Sequence, residues 1–243
     1  MHAIQWLRSL LFVGQIYLMM PIIGLLFAPW AIVSKTGARI CCKTYSRWVF
    51  WTARWMVGIR CEVRGTPPEG EVLIAAKHQS FLDIMMIFTA LPTAKFIMKK
   101  EILKTPVIGQ YAKLLDCVSV DRGKRGAAIE KMVRDVAEGR QDAGQLIIYS
   151  QGTRVAPGVK ADYKIGTGIL YEQLSQTCVP VATNVGVMWP RKGIIRRRGT
   201  AVVEFMEPIA PGMDRGAFMA VLEERVEARS DALMREAGFD PEA

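Results

Sequence analysis

Histidine is almost missing from this chain. Two of the 243 residues are histidine, and one of these is His2, beside the terminus. If the chemistry needs an imidazole base, His78 is the residue placed to supply it. Cysteine shows no useful pattern either. The five cysteines form no C-x-x-C pair and none stands at metal-ligand spacing from a histidine, so no metal is expected. An odd number without a framework points to a reducing compartment. Cys117 and Cys178 lie in apolar strand-like runs and read as small core residues. There is no internal repeat and no low-complexity linker. Acidic residues are outnumbered, 23 against 32 Lys and Arg, for a net charge of +9. That excess suits an anionic partner: a membrane surface, a nucleic acid, a phosphorylated substrate or an acidic carrier protein. Nucleic acid is set aside, because the basic residues build neither a basic helix nor an aromatic-interleaved strand motif.

Charge is absent from Leu10 to Val33, 24 residues. As one helix this run would span roughly 36 Å, enough for a bilayer core. Gly14, Pro21, Gly24 and Pro29 interrupt it, so a kinked or re-entrant segment competes with a straight span. The run is too long for a signal peptide and no small-x-small cleavage site follows. Over residues 38–58 the spacing predicts a second helix, with Arg39, Lys43, Arg47 and Arg54 on one face and Trp48, Trp51 and Trp55 on another. Phe50 intrudes on the basic face. Such a helix suits an anionic membrane surface; packing its Trp face on the domain is the alternative. Positive charge after the apolar run predicts an inner, cytoplasmic membrane location with the rest of the chain on the cytoplasmic side. The expected division is a membrane-associated segment, residues 1–58, and one domain, residues 59–243.

Beyond residue 58 strand and helix signals alternate. Strands are predicted at 59–64, 72–76, 95–98, 117–120, 145–149, 179–187 and 200–207. Helices are predicted at 81–91, 103–114, 126–138, 165–175 and 214–237. The alternation argues for an α/β fold, a central sheet covered by helices.

The stretch that organises this domain is Ala75-Ala76-Lys77-His78-Gln79-Ser80-Phe81-Leu82-Asp83. It puts His78 in the turn between a strand and a helix, a common place for working residues in α/β folds. Asp83 lies in the first helical turn. Folded back, its carboxylate reaches one ring nitrogen of His78, fixes the tautomer and leaves the other nitrogen as a base. Ser80-x-x-Asp83 equally fits a capping box, and both readings stay open on the sequence. Three more polar clusters follow predicted strands. Asp121-Arg122-Gly123 and Gly152-Thr153-Arg154 suit a phosphate, with a guanidinium beside accessible backbone N–H groups; the plainer reading of each Arg is a surface ion pair. Val179-Pro180-Val181-Ala182-Thr183-Asn184 reads more simply as a bent core strand. Arg196-Arg197-Arg198 is expected at the tip of a solvated hairpin loop or against lipid headgroups.

Taken together, these blocks resemble the 1-acyl-glycerol-3-phosphate acyltransferases. Lys77 to Asp83 is similar to their His-x-x-x-x-Asp block. Val118-Ser119-Val120-Asp121-Arg122 is similar to the second block, with Ser119 where an aromatic is usual. Tyr149-Ser150-Gln151-Gly152-Thr153-Arg154 resembles Phe-Pro-Glu-Gly-Thr-Arg, and Val179-Pro180-Val181-Ala182 resembles the fourth block. Order and spacing match over about residues 55–210, and the membrane-associated helical N-terminus resembles residues 1–58. Ser150 and Gln151 depart from the usual Pro and Glu. Gln keeps a hydrogen-bonding carbonyl and loses the charge, which leaves the acceptor open.

The resemblance implies a glycerolipid acyltransferase fold with a central mixed sheet. It implies acyl transfer from acyl-CoA or acyl carrier protein to a lysophospholipid, with no cofactor beyond that donor. His78 is implied as base and Asp83 as its orienting partner. Arg122, Gln151, Gly152, Thr153, Arg154 and Pro180 are implied to bind substrate. Lys95, Lys99, Lys100 and Lys104 are candidates to recruit an acidic carrier or the diphosphate of CoA, or are solvated. The expected product is phosphatidic acid at an anionic membrane. Lyso-ornithine lipid, another lysophospholipid or glycerol phosphate as acceptor, and a non-catalytic lipid-binding module, are the alternatives.

Overall fold

The computed structural model describes residues 2–120 and 142–242 of the chain. The predicted helix 126–138 lies outside them, as do Asp121, Arg122 and Gly123.

Two helices lead. Helix α1 (His2–Val33) is continuous through Pro21 and Pro29, where the sequence suggests a break. An interior proline costs a helix about 3 kcal/mol, and tertiary contacts along the length offset this. Gln5 donates to the carbonyls of Val57 (3.2 Å) and Arg196 (2.7 Å). Phe12 meets Trp189 edge-on at 5.3 Å. Gln15 bonds Thr52 and Trp48, and Tyr111 donates to Gly24 O at 2.7 Å. Helix α2 (Lys35–Thr52) packs antiparallel to this company of residues on α1 and ends in one π-turn, Ala53–Val57. The chain leaves through Gly58, whose φ of +78° suits a residue without Cβ.

The strands are β1 (Ile59–Arg64), β2 (Leu73–Ala76), β3 (Ala94–Lys99), β4 (Val118–Val120), β5 (Gln145–Tyr149), β6 (Cys178–Thr183) and β7 (Gly199–Phe205). They form one sheet in the order β1-β7-β6-β2-β5-β3-β4. β6 and β7 pair antiparallel and the other neighbours parallel, so the sheet is mixed, as expected. Helices α3 (Phe81–Ala90), α4 (Ile108–Leu114), α5 (Gly166–Leu174), α6 (Val185–Met188) and α7 (Arg215–Glu236) flank it. All four residues of β2 are buried, as a central parallel strand covered on both faces requires.

Two predicted elements differ. The helix expected at 103–114 is a 3₁₀ turn, Lys100–Lys104, then α4; Pro106 between them cannot donate a backbone bond. The strand expected at 179–187 stops at Thr183. There the Asn184 side chain takes over: Oδ1 accepts from Val202 N (2.8 Å) and Nδ2 donates to Leu233 O (2.9 Å). The ladder is capped and the chain turns into α6.

Topology then selects the site. The connection leaving β2 runs to β3 on one side, and the one leaving β5 runs to β6 on the other. Divergence at adjacent parallel strands opens a crevice at their carboxyl ends. His78 follows β2 and Gly152 follows β5.

Candidate active site

Ser80 opens α3 from an extended conformation, and its Oγ accepts from Leu82 N at 3.3 Å. Asp83, in the first turn, is wholly buried. Its two oxygens divide the work. Oδ2 accepts from the backbone N–H groups of Gln79 (2.8 Å) and Ser80 (2.7 Å). Oδ1 lies 2.8 Å from His78 Nδ1 and accepts from Tyr149 Oη at 3.1 Å. The capping box and the His–Asp pair are therefore one structure, and the two sequence readings were never exclusive. A carboxylate with its charge so fully occupied accepts the Nδ1–H of His78, which leaves the Nε2 lone pair available as a base. His78 is 12% exposed, enough for a reacting group to meet one edge of the ring.

Tyr149 lies against the imidazole, ring centroids 3.9 Å apart and planes 18° apart. Phe96 stacks beyond it at 6.1 Å and Phe88 beyond that at 6.5 Å. Phe88 and Phe96, with Phe81, Ile84, Tyr111 and Cys42, line an apolar cavity between α1, α2, α3 and α4. The stacked rings thus connect the base to a greasy cavity.

Beside His78 stands the loop after β5. Val155 N donates to His78 O at 2.8 Å, which clamps this loop to the turn. Gly152 takes φ +69° at the tight turn where its N–H bonds Tyr149 O (2.8 Å); only glycine adopts this without strain. Thr153 is exposed and Arg154 half-buried, and no carboxylate of the described residues pairs with Arg154. The structure joins Asp83 to His78 directly and, through Val155, fastens the loop that carries Gly152, Thr153 and Arg154 to the same turn.

Gln151 and Pro180 are placed differently. Gln151 is buried, and its Nε2 donates to Ala161 O (3.2 Å) and Glu227 Oε1 (3.4 Å). Pro180 sits inside β6 in register with Ala75, short of the strand ends. Arg122 lies outside the described residues. Two other expectations are corrected. Lys95 is buried and donates to Asp142 O, so it is no part of a solvated recruiting group. Arg196 is 7% exposed, its guanidinium 4.7 Å over the Trp189 ring. It braces its own loop against α1 instead of tipping a solvated hairpin.

Sequence reasoning missed three partners. Lys77 is 2% exposed and ion-paired with Glu227 of α7. Glu227 also accepts from Tyr163 Oη at 2.9 Å. Gln79 Oε1 accepts from Gly186 N at 3.0 Å, at a backbone approach so close that a Cβ on Gly186 would stand 2.9 Å from Gln79 Cβ. These lie up to 150 residues apart in sequence, and no local pattern carries them. The place of Tyr149 at the head of its block was the one local signal available.

The family model described as Acyltransferase matches residues 59–184, which run from β1 through the end of β6 and contain the turn, the dyad and the loop after β5. The chain belongs to the Acyltransferase family. It is an acyltransferase by class. A curated relative from Pseudomonas aeruginosa, named 1-acyl-sn-glycerol-3-phosphate acyltransferase, is 26% identical over 200 residues, 82% of this chain and 78% of that one. A yeast relative of the same name is 24% identical over 202 residues, covering 81% and 67%. The human relative named as the alpha form is 31% identical over 134 residues, and this chain spans about half its length (47%). The crystal structure of the 1-acyl-sn-glycerophosphate (LPA) acyltransferase of Thermotoga maritima superimposes with a TM-score of 0.76 at 20% identity, over 94% of this chain and 97% of that one. That likeness shows the fold.

Proposed function

We propose that this acyltransferase moves a fatty acyl group from acyl-CoA or acyl carrier protein to the sn-2 hydroxyl of 1-acyl-glycerol-3-phosphate, giving phosphatidic acid. The observation that carries the reading is the His78–Asp83 pair, whose carboxylate is held by three further donors, Gln79 N, Ser80 N and Tyr149 Oη. His78 Nε2 takes the hydroxyl proton as the oxygen attacks the thioester carbonyl. The tetrahedral intermediate collapses, the C–S bond breaks, and the thiolate leaves with the proton from the imidazolium. No acyl-enzyme is needed, because proximity of two bound substrates supplies much of the barrier reduction.

Arg154, with Arg122, is assigned to the acceptor phosphate; a dianionic monoester matches guanidinium groups well. Gly152 and Thr153 offer close backbone and a hydroxyl. Gln151 supports this loop from beneath. Gln151 carries no charge of its own, and the Glu227 carboxylate it bonds is paired with Lys77. The apolar cavity beyond Phe96 suits an acyl chain.

Helix α1 is docked on the domain along its length and turns Leu7, Leu11, Leu18, Leu25, Leu26 and Trp30 outward. A helix bound along one side to a polar domain and apolar on the other lies in the interfacial plane better than it spans. With Trp51 and Trp55, each 56% exposed, it would seat the site at an anionic cytoplasmic surface, where the insoluble acceptor is concentrated.

The test is purified full-length protein in detergent, with labelled acyl-CoA and acyl carrier protein against a panel of lysolipids. Lysophosphatidic acid is expected to be acylated fastest. Faster acylation of lyso-ornithine lipid would overturn the acceptor, and transfer to none of the panel would favour a lipid-binding module.

A further inference from the structure

Tyr149 stands where the resembling block has phenylalanine. Phenylalanine would give the same ring face to His78, but no hydroxyl to Asp83. We propose that Tyr149 is a positioning residue that competes with His78 for Asp83 Oδ1 and so sets how firmly the carboxylate holds the imidazole.

The geometry supports a competition. Oδ1 receives both the His78 Nδ1–H at 2.8 Å and the Tyr149 hydroxyl at 3.1 Å, while Oδ2 is occupied by two backbone N–H groups. Two donors on one oxygen share its charge, and each is weakened by the other. Charge drawn toward Tyr149 no longer stabilises a protonated imidazole. The ring stack at 3.9 Å holds the hydroxyl and the imidazole in a fixed relation. Burial, and then the neighbouring Asp83 charge, push the Tyr149 phenol well above its usual range, so it stays a donor over any working pH.

Arg154, on the loop that Val155 clamps to His78, is a nearby cation and is the same in every variant compared. Among the described residues, Asp83 on α3 and Tyr149 on β5 are the titratable groups in hydrogen-bond or ring contact with His78. Lys77 on one side is turned to Glu227 of α7. Gln79 on the other is neutral and bonded to Gly186 of α6. The inference deepens the reading of His78 as base and rests on it.

The experiment is Tyr149→Phe in the full chain, with two readouts. One is the pH dependence of kcat/KM. The other is the NMR titration of His78, made simple because the chain has two histidines and His2→Ala assigns the second signal. Both the acid limb and the His78 midpoint are expected to rise when the competing hydroxyl is removed. Site-specific 3-fluorotyrosine at 149, a stronger donor that keeps the fold, should move both the other way, and serves if the Phe variant does not fold. An unmoved His78 midpoint in the folded Phe variant, or no downward shift with fluorotyrosine, overturns the proposal. A midpoint that moves while the rate profile stays fixed upholds the tyrosine's effect and removes the reading of His78 as base.

Discussion

Buried Lys77 and half-buried Glu227 form an ion pair that ties the residue before the candidate base to the last described helix of the chain. Its carboxylate also gathers Tyr163 and Gln151, so the pair closes the floor beneath the loop after β5. Removing one charge leaves the other without compensation in a site of low dielectric. Glu227→Gln is therefore expected to cost about 3 kcal/mol, measured by chemical denaturation. Replacing both, with Lys77→Met and Glu227→Leu, should recover most of that loss. Unchanged stability in the single variant would show that water screens the pair.

Asp83→Asn separates capping from catalysis. The amide oxygen can still accept from Gln79 and Ser80 N–H, so the fold should survive. The amide nitrogen then faces His78 Nδ1 and forces the proton onto Nε2, the nitrogen needed as base. Turnover should fall on the order of a thousandfold or more, and folded His78→Ala should be inactive. Asp83→Ala should add about 1–3 kcal/mol of destabilisation, since two buried N–H groups lose their acceptor. Near-normal turnover by either folded His78→Ala or Asp83→Asn would remove the mechanism.

Membrane binding should depend on α1 more than on the basic stripe of α2. Arg39 pairs with Asp142 at 2.6 Å and Lys43 donates to Leu91 O at 2.8 Å, so both serve the domain. Arg47 and Arg54 are the exposed members of the set. Leu18→Asp with Leu25→Asp should move the protein from the membrane pellet to the supernatant. Arg47→Glu with Arg54→Glu should weaken binding to anionic vesicles more than to neutral ones, most at low salt. Equal loss on both vesicle types would exclude the electrostatic part.

The thiols should be inert in the folded protein. Burial pushes Cys61 and Cys178 up to about 12 and Cys117 up to about 11, and raises Cys41 and Cys42 as well. A thiol reagent at pH 8 should label the native chain slowly and all five cysteines on denaturation. The folded state keeps these protons to higher pH than the unfolded chain. Their contribution to stability is thus present below the ordinary thiol range near 8.5 and falls as pH rises through it toward 11–12. Fast labelling of the native protein would contradict the burial.

Local chemistry determined much of this protein. Alternating apolar runs marked the strands and helices of an α/β fold, Ser80-x-x-Asp83 marked the start of α3, and His78 stood out because histidine is so scarce. These are signals within a few residues, where spacing and side-chain type decide conformation. Tertiary structure decided the rest. It merged the capping box with the dyad, because one carboxylate has two oxygens and β5 delivered Tyr149 to one of them. It carried α1 unbroken through two prolines, since contacts with α2, Trp189 and Tyr111 outweigh a local penalty. It turned Gln151 inward and paired Lys77 with Glu227, because burial leaves a cation no stable place without a carboxylate, and the available one lay 150 residues away.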